Sequence, residues 1–204
     1  MRIFIKICGL TSPDAVTAAV DAGADAVGFV LAESPRRVDA KGAARLAALA
    51  PPGIIRVAVF SHPSNSALVE ALDTFNADWV QTDAEDFAQL QVPAGAGRLP
   101  VFRDVAQLDE ALMRREPRVL FEAAMSGAAQ PVNWDRAATL ARSTALMLAG
   151  GLNPDNVAEA IARVRPWGVD VSSGVERSRG IKDLGKIRAF VAAVRHAEHT
   201  LGIS

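Results

Sequence analysis

Short β-rich runs alternate with alanine-rich stretches from one end of the chain to the other, and this alternation is the tightest constraint on its fold. The strand candidates are 3–7, 25–30, 54–60, 78–81, 98–102, 118–122, 145–149 and 167–171. Helix start signals lie between them. Ser12 and Asn153 each precede a proline, Pro13 and Pro154, that suits the first helical turn. His62-Pro63 and Asn133-Trp134-Asp135 mark two more starts, and Gly23 and Asn76 mark stops. Small-residue-plus-Asp entries recur before strands, as in Ala24-Asp25-Ala26-Val27 and Ala77-Asp78-Trp79-Val80. They form a faint repeat of one strand–helix unit about every 23 residues.

Eight strands alternating with eight helices fit either a closed (β/α)8 barrel or an open doubly wound sheet. The first strand–helix turn, Cys8-Gly9-Leu10-Thr11, lacks the G-x-G-x-x-G of a dinucleotide site. Eight roughly equal units without a break in composition favour an α/β TIM barrel, expected as one domain over 1–204. The 22 basic and 23 acidic residues leave no excess charge for a nucleic acid or an anionic membrane. No apolar run reaches the ~18 residues of a spanning helix. The start, Ile3 to Cys8, is broken by Lys6 and lacks the pattern of a signal peptide, so a cytoplasmic protein is expected. The single cysteine excludes an intrachain disulfide or a multi-Cys zinc site. Of the histidines, His62 is remote in sequence, while His196 and His199 read as a solvated helix face, so no metal is expected.

In a closed barrel alternate strand residues point inward, and function collects at the C-terminal ends. Strand one separates into Ile3, Ile5 and Ile7, expected to face the helices, and Phe4, Lys6 and Cys8, expected to face the interior. An inward lysine needs a partner. Strand eight, its neighbour across the closure, offers Asp170 in the set Gly168, Asp170, Ser172. The pair reads as a structural ion pair or as part of the site, and either way it brings a cation near Cys8. Nearby positive charge lowers a thiol's pKa and supplies thiolate as base or nucleophile. Strand seven runs into Gly150-Gly151, and strand eight into Ser172-Ser173-Gly174. Loops at these two positions commonly hold phosphate through backbone N–H groups. Glu122 closes an apolar strand at the catalytic rim and is a general-acid candidate. Arg36 and Arg37 after Ser34-Pro35, and Arg103 after strand five, offer donors for a carboxylate.

These residues resemble the phosphoribosylanthranilate isomerase family, small (β/α)8 enzymes of tryptophan biosynthesis. The likeness runs through Lys6-Ile7-Cys8-Gly9, Gly28-Phe29-Val30 to Ser34-Pro35-Arg36, Val80-Gln81, and Leu148-Ala149-Gly150-Gly151-Leu152-Asn153-Pro154. It is most specific in Gly168 to Glu176 and in Gly180-Ile181-Lys182-Asp183. The resemblance implies an Amadori rearrangement of N-(5'-phosphoribosyl)anthranilate without cofactor. By it, Cys8 is the general base at C2' and Glu122 stands where the family has an aspartate as general acid. Arg36 holds the anthranilate carboxylate, and the backbone around Gly127, Gly150, Gly151, Ser173 and Gly174 holds the phosphate. Lys6 and Asp170 support the centre. The implied partner is a phosphorylated small molecule, with no nucleic acid or membrane, and a homodimer is left open. Three stretches depart from the family's pattern. They are Glu122 for Asp, Ser126-Gly127-Ala128-Ala129 for Gly-Gly-Thr-Gly, and Gln81-Thr82-Asp83-Ala84 for Gln-Leu-His-Gly. Two other readings stand beside this one. The histidine-pathway sugar-phosphate isomerase characteristically has an aspartate where Cys8 stands. A non-catalytic barrel would bind a phosphorylated ligand without turnover.

Overall fold

A computed structural model describes residues 2–124 and 132–203. Eight parallel strands close into a barrel in chain order. They are β1 (Phe4–Cys8), β2 (Ala26–Val30), β3 (Ile55–Val59), β4 (Trp79–Asp83), β5 (Gly97–Asp104), β6 (Val119–Ala123), β7 (Leu146–Leu148) and β8 (Gly168–Val171). Closure between β1 and β8 sets Lys6 opposite Asp170. The helices are α1 (Pro13–Ala22), α2 (Ala40–Ala47), α3 (Asn65–Thr74), α4 (Glu110–Met113), α5 (Trp134–Ala141), α6 (Val157–Val164) and α7 (Leu184–Thr200). None of the described helices is long and apolar enough to cross a membrane.

The expected eighth helix is missing from the link between β4 and β5. A 3-10 turn, Ala84–Ala88, stands there, because the short stretch to Gly97 carries Pro93 and Gly95 and leaves no room for a helix. After β8 the chain adds a second 3-10 turn, Ser173–Val175, and an antiparallel hairpin, β9 (Glu176–Ser178) and β10 (Ile181–Lys182), before α7. Start signals mostly hold. Ser12 Oγ accepts from Ala15 N, and Asn133 Oδ1 accepts from Asp135 N and Arg136 N. Such a cap stabilises a helix by about 1 kcal/mol. After His62-Pro63 the cap falls two residues on, at Ser64. Asn153 caps a turn ahead of α6, accepting from Asp155 N and Asn156 N, and the helix proper begins at Val157.

Period-two alternation sorts the apolar residues into two layers. Ile3, Ile5 and Ile7 join Val27, Phe29, Phe121 and Leu148 in the layer between barrel and helices. Inside, Ala26, Val57, Leu99, Leu120 and Met147 fill the middle of the barrel. Its N-terminal end is plugged by Phe4, stacked on Trp167 and Trp79 with ring centroids 4.8 and 5.5 Å away. The Arg118 guanidinium lies 4.5 Å over the Trp79 ring. With that end sealed, the polar inward residues gather at the other.

Candidate active site

The C-terminal ends of the strands surround a cavity of about 310 Å³ lined by Cys8, Gln81, Asp83, Arg103, Glu122 and Asp170, with Arg36 and Ser172 on its rim. Its floor is Lys6. This side chain is fully buried, and its Nζ lies 2.7 Å from Asp170 Oδ1. Burial works against the ammonium charge, but Asp170 and Cys8 outweigh it and hold Lys6 above its ordinary pKa. The lysine is therefore a fixed cation beneath the cysteine.

Cys8 departs from the expected electrostatics. Burial is the largest influence on its thiol and pushes the pKa up, against the lowering effect of Lys6. Asp170 adds to the rise, because its carboxylate charge repels a thiolate. The proximity of a cation is as expected, but a lowered thiol pKa is not found. The packing is also tight. A Cβ on Gly28, across the β1–β2 pair, would sit 3.0 Å from Cys8 Sγ and 3.3 Å from Lys6 Cε. A side chain at that position would require Cys8 or Lys6 to give way by a few tenths of an ångström.

Glu122 lines the same cavity from β6. Arg103, its register partner on β5, donates from Nη1 to Glu122 Oε1. The same guanidinium grips Asp83 on β4 in a fork, Nε to Oδ1 at 2.7 Å and Nη2 to Oδ2 at 3.1 Å. Asp83 in turn has His62 Nε2 at 3.7 Å, and His62 Nδ1 meets Asp86 at 2.9 Å. From the sequence, Arg103 is only a general donor candidate, and Asp83 is a departure from the family's pattern and a fallback for the general acid, with nothing to show that the two meet. The inward alternation Trp79, Gln81, Asp83 and Leu99, Val101, Arg103 was the signal that could have joined them.

Arg36 is already paired. Its Nε and Nη2 donate to Glu176 Oε1 and Oε2 at 2.6 and 3.0 Å. That leaves Nη1 as the edge for any incoming carboxylate. Glu176 also accepts from Lys182 Nζ at 3.1 Å and Gly180 N at 3.0 Å. Burial alone would raise its pKa, but Arg36 and Lys182 win and lower it. Lys182 is itself buried, and burial lowers its pKa despite Glu176. Glu176 and Lys182 stood in a recognised motif, yet nothing in their spacing showed that they meet Arg36.

Gly150, Gly151 and Ser173 share a small recess of about 50 Å³ with Glu122 and Asp170. Gly150 and Gly151 have φ of 84° and 72°, the left-handed region that glycine enters freely. Gly174 is placed differently. A Cβ there would strike the Leu152 carbonyl, so this glycine lets the loops after β7 and β8 touch. It lines a separate outer cleft with Asn153, Pro154 and Lys186. Gly127 lies outside the described residues. A larger cleft of about 560 Å³ runs along the outer face between α2 and α3; Arg37 lines it, away from Arg36 and the other expected site residues. His196 and His199 are exposed on α7.

Comparison with known proteins bears on the family and the fold. The family model described as N-(5'phosphoribosyl)anthranilate (PRA) isomerase matches residues 5–193. The N-(5'-phosphoribosyl)anthranilate isomerase of Roseiflexus castenholzii is 43% identical over 211 residues, covering 96% of this chain and 99% of that protein. The crystal structure of phosphoribosyl anthranilate isomerase from Thermus thermophilus superposes with a TM-score of 0.84 at 26% identity, over 96% of this chain and 99% of the other. A second isomerase, crystallised with reduced 1-(o-carboxyphenylamino)-1-deoxyribulose 5-phosphate, gives a TM-score of 0.77 at 29% identity, over 95% and 99% of the two chains. On its matched length, its fold and these relatives, the chain belongs to the N-(5'-phosphoribosyl)anthranilate isomerase family.

Proposed function

We propose that the protein converts N-(5'-phosphoribosyl)anthranilate into 1-(2-carboxyphenylamino)-1-deoxyribulose 5-phosphate in tryptophan biosynthesis, with Cys8 and Glu122 as the acid–base pair. The supporting observation is that these two side chains face one cavity from β1 and β6, above a sealed barrel core. Family membership supplies the substrate class. Protonated Glu122 gives its proton to the ring oxygen as the C1'–O bond breaks, and the nitrogen lone pair forms the C1'=N iminium. The Cys8 thiolate then removes the C2' proton. The C2'–H electron pair becomes the C1'=C2' bond and the iminium pair returns to nitrogen. Protonation at C1' and ketonisation at C2' complete an isomerisation with no net oxidation. Arg36 meets the anthranilate carboxylate through Nη1, the edge that Glu176 leaves outward. The backbone at Gly150, Gly151 and Ser173, with Gly127, takes the phosphate. Gly174 serves by holding the two loops together. Lys6 and Asp170 fix the charge beneath the reacting carbon.

The Cys8 thiol must lose its proton to act, and its raised pKa means that only a small part is thiolate near neutral pH. A base of high pKa is strong once formed, so the penalty in population is partly offset in reactivity. The cytoplasm is the proposed compartment. A homodimer is the proposed assembly, by likeness to a dimeric relative from Thermotoga maritima at 28% identity. The test is the fall in anthranilate fluorescence when purified protein meets N-(5'-phosphoribosyl)anthranilate. Turnover that vanishes in Cys8→Ala supports the reading. Absence of turnover in the unaltered, folded protein rejects it in favour of a binding barrel.

A further inference from the structure

Three strands, β4, β5 and β6, send one charged group each into the cavity, and the three are joined by hydrogen bonds. Arg103 is the hinge, with Asp83 on its Nε/Nη2 edge and Glu122 on Nη1. Its guanidinium is only one-quarter exposed, and Asp83 and Glu122 are less exposed still, so solvent screens these charges weakly. Burial disfavours the charge on Arg103, but Asp83 and Glu122 outweigh that and keep it protonated. One cation is thus divided between two carboxyls.

We propose that Arg103 and Asp83 are positioning residues for the general acid. Arg103 anchors the Glu122 carboxyl at the cavity wall, and Asp83 takes up enough of the guanidinium's charge for that carboxyl to carry a proton. This deepens the isomerase reading and rests on it for the task of Glu122, but the coupling of the three groups does not depend on the reaction.

The physical reason is a conflict of requirements. A general acid needs a proton, while an arginine donor on a carboxyl favours the charged form. An arginine engaged by Glu122 alone would aim the side chain and empty it of its proton. The fork to Asp83 resolves the conflict: the aim is kept and the net charge of the Asp83–Arg103 unit is close to zero. Glu122 has further charged neighbours. Asp170 from β8 shares its recess and is paired with the buried Lys6 of β1, and Cys8 lines the same cavity. Arg36 and Arg179 stand across the cavity, and His62, Asp86 and Glu85 lie behind Asp83. Lys6 is bound to Asp170 and Arg36 to Glu176. Arg103 is the cation hydrogen-bonded to Glu122 among the described residues.

Two charge-removing variants must then act with opposite sign. Asp83→Asn leaves Arg103 fully charged beside Glu122 and shifts the midpoint of Glu122 down. Arg103→Gln removes the cation, leaves Asp83 nearby and shifts it up. Each shift is expected to be about half a pH unit or more, the size of a one-charge change at a partly buried site. Carbon-13 NMR of labelled glutamate carboxyls reads this without substrate, with Glu122 assigned by the signal lost in Glu122→Gln. In turnover, the alkaline limb of kcat moves the same way in each variant, and Arg103→Gln also loses about 10-fold in kcat through misplacement. Arg103→Lys, which keeps charge without the fork, recovers the limb but not the full rate. A merely structural role lowers kcat by one factor at every pH and leaves both midpoints in place, which overturns the proposal. So do two shifts of the same sign. If one variant does not fold, the other still carries a signed expectation. Opposite NMR shifts in a protein without isomerase activity would sink the isomerase reading and keep the charge coupling. Normal turnover with unmoved midpoints would do the reverse.

Discussion

Cys8 stands between two opposing influences, and their balance is measurable. Burial pushes its thiol above the ordinary value of 9.0, and the Lys6 ammonium pulls it back. Because it is the only cysteine, alkylation of the whole protein reports on it alone. The rate of iodoacetamide labelling is expected to rise with pH through a midpoint above 9.0. A midpoint at or below 9.0 would mean that Lys6 wins over burial. Cys8→Ala is expected to lower kcat by about 10²–10⁴ without loss of structure, the usual worth of a general base. Gln81 supplies a second prediction at this scale. Its side chain is buried in the cavity wall, and Oε1 has no hydrogen-bond partner among the described residues. An unmet buried acceptor costs about 1–3 kcal/mol, which a substrate hydroxyl or amine can recover on binding. Gln81→Leu should therefore raise KM while the unliganded protein stays as stable as the parent or gains. An unchanged KM would show that substrate never reaches this oxygen. The Lys6–Asp170 pairing was legible from alternation alone, since period two sets both inward and the barrel makes β1 and β8 neighbours. The pairing of Arg36 with Glu176 was not, because it joins two loops whose paths no local pattern encodes.

Between β8 and α7 the hairpin β9–β10 and its 3-10 turn form an element that sequence periodicity did not show. Strands of three and two residues are too short to display alternation. What holds the hairpin is a polar knot: Glu176 with Arg36, Lys182 and Gly180 N, and Lys182 Nζ with the Ser172 carbonyl at 2.8 Å. The missing helix after β4 was hidden for a related reason. A 3-10 turn and a helix start alike, and only Pro93 downstream told them apart. Glu122 and Asp83, two of the departures from the family's usual residues, turn out to be neighbours joined by Arg103, which separate motifs could not reveal. The knot carries a pH prediction. The Glu176 pKa in the folded protein is lowered from 4.5, so the unfolded state binds the proton more tightly. Its contribution is complete above the unfolded value and is lost as pH falls through the folded one. Hydrogen exchange at residues 176–182 should thus quicken as pH drops below 4.5, relative to exchange in β1. Glu176→Gln should show fast exchange in this hairpin already at pH 7. Slow exchange there in the variant would remove the knot as the hairpin's fastening.

Across the whole barrel, the Asp that precedes a strand has a structural meaning that the repeat only hinted at. Asp25, just before β2, accepts the Ile5 amide of β1 at 2.8 Å. Asp78, just before β4, accepts the Arg56 amide of β3 at 2.8 Å. In each case the carboxylate fastens the N-terminal end of one strand to the entry of the next, at the pole opposite the active site. Asp78 also meets its own strand neighbour's side chain, Arg56 Nε at 2.8 Å, and this partnership, against the cost of burial, holds its pKa below the ordinary range. Asp25 does more. It receives Arg2 at 2.7 Å and Arg195 from α7 at 3.2 Å, and Arg195 also donates to the Ile3 carbonyl at 2.9 Å. One carboxylate therefore ties β1, β2 and the last helix together at the seam where the barrel closes. Hydrogen bonds to charged groups contribute about 1.5–3 kcal/mol each when they are shielded from water. The Asp25 side chain is 17% exposed and that of Asp78 33%. Asp25→Ala is expected to lower the unfolding free energy by about 2–4 kcal/mol, and Asp78→Ala by about 1–2 kcal/mol. Urea denaturation reads both as a fall in midpoint at unchanged slope, which marks lost stability and not a changed unfolded state. Since neither residue touches the cavity, kcat in folded samples should stay with the parent. If Asp25→Ala shifts the midpoint no further than Asp78→Ala, the seam is held by its apolar layer of Ile3, Ile5 and Val169, and the carboxylate fastening is secondary.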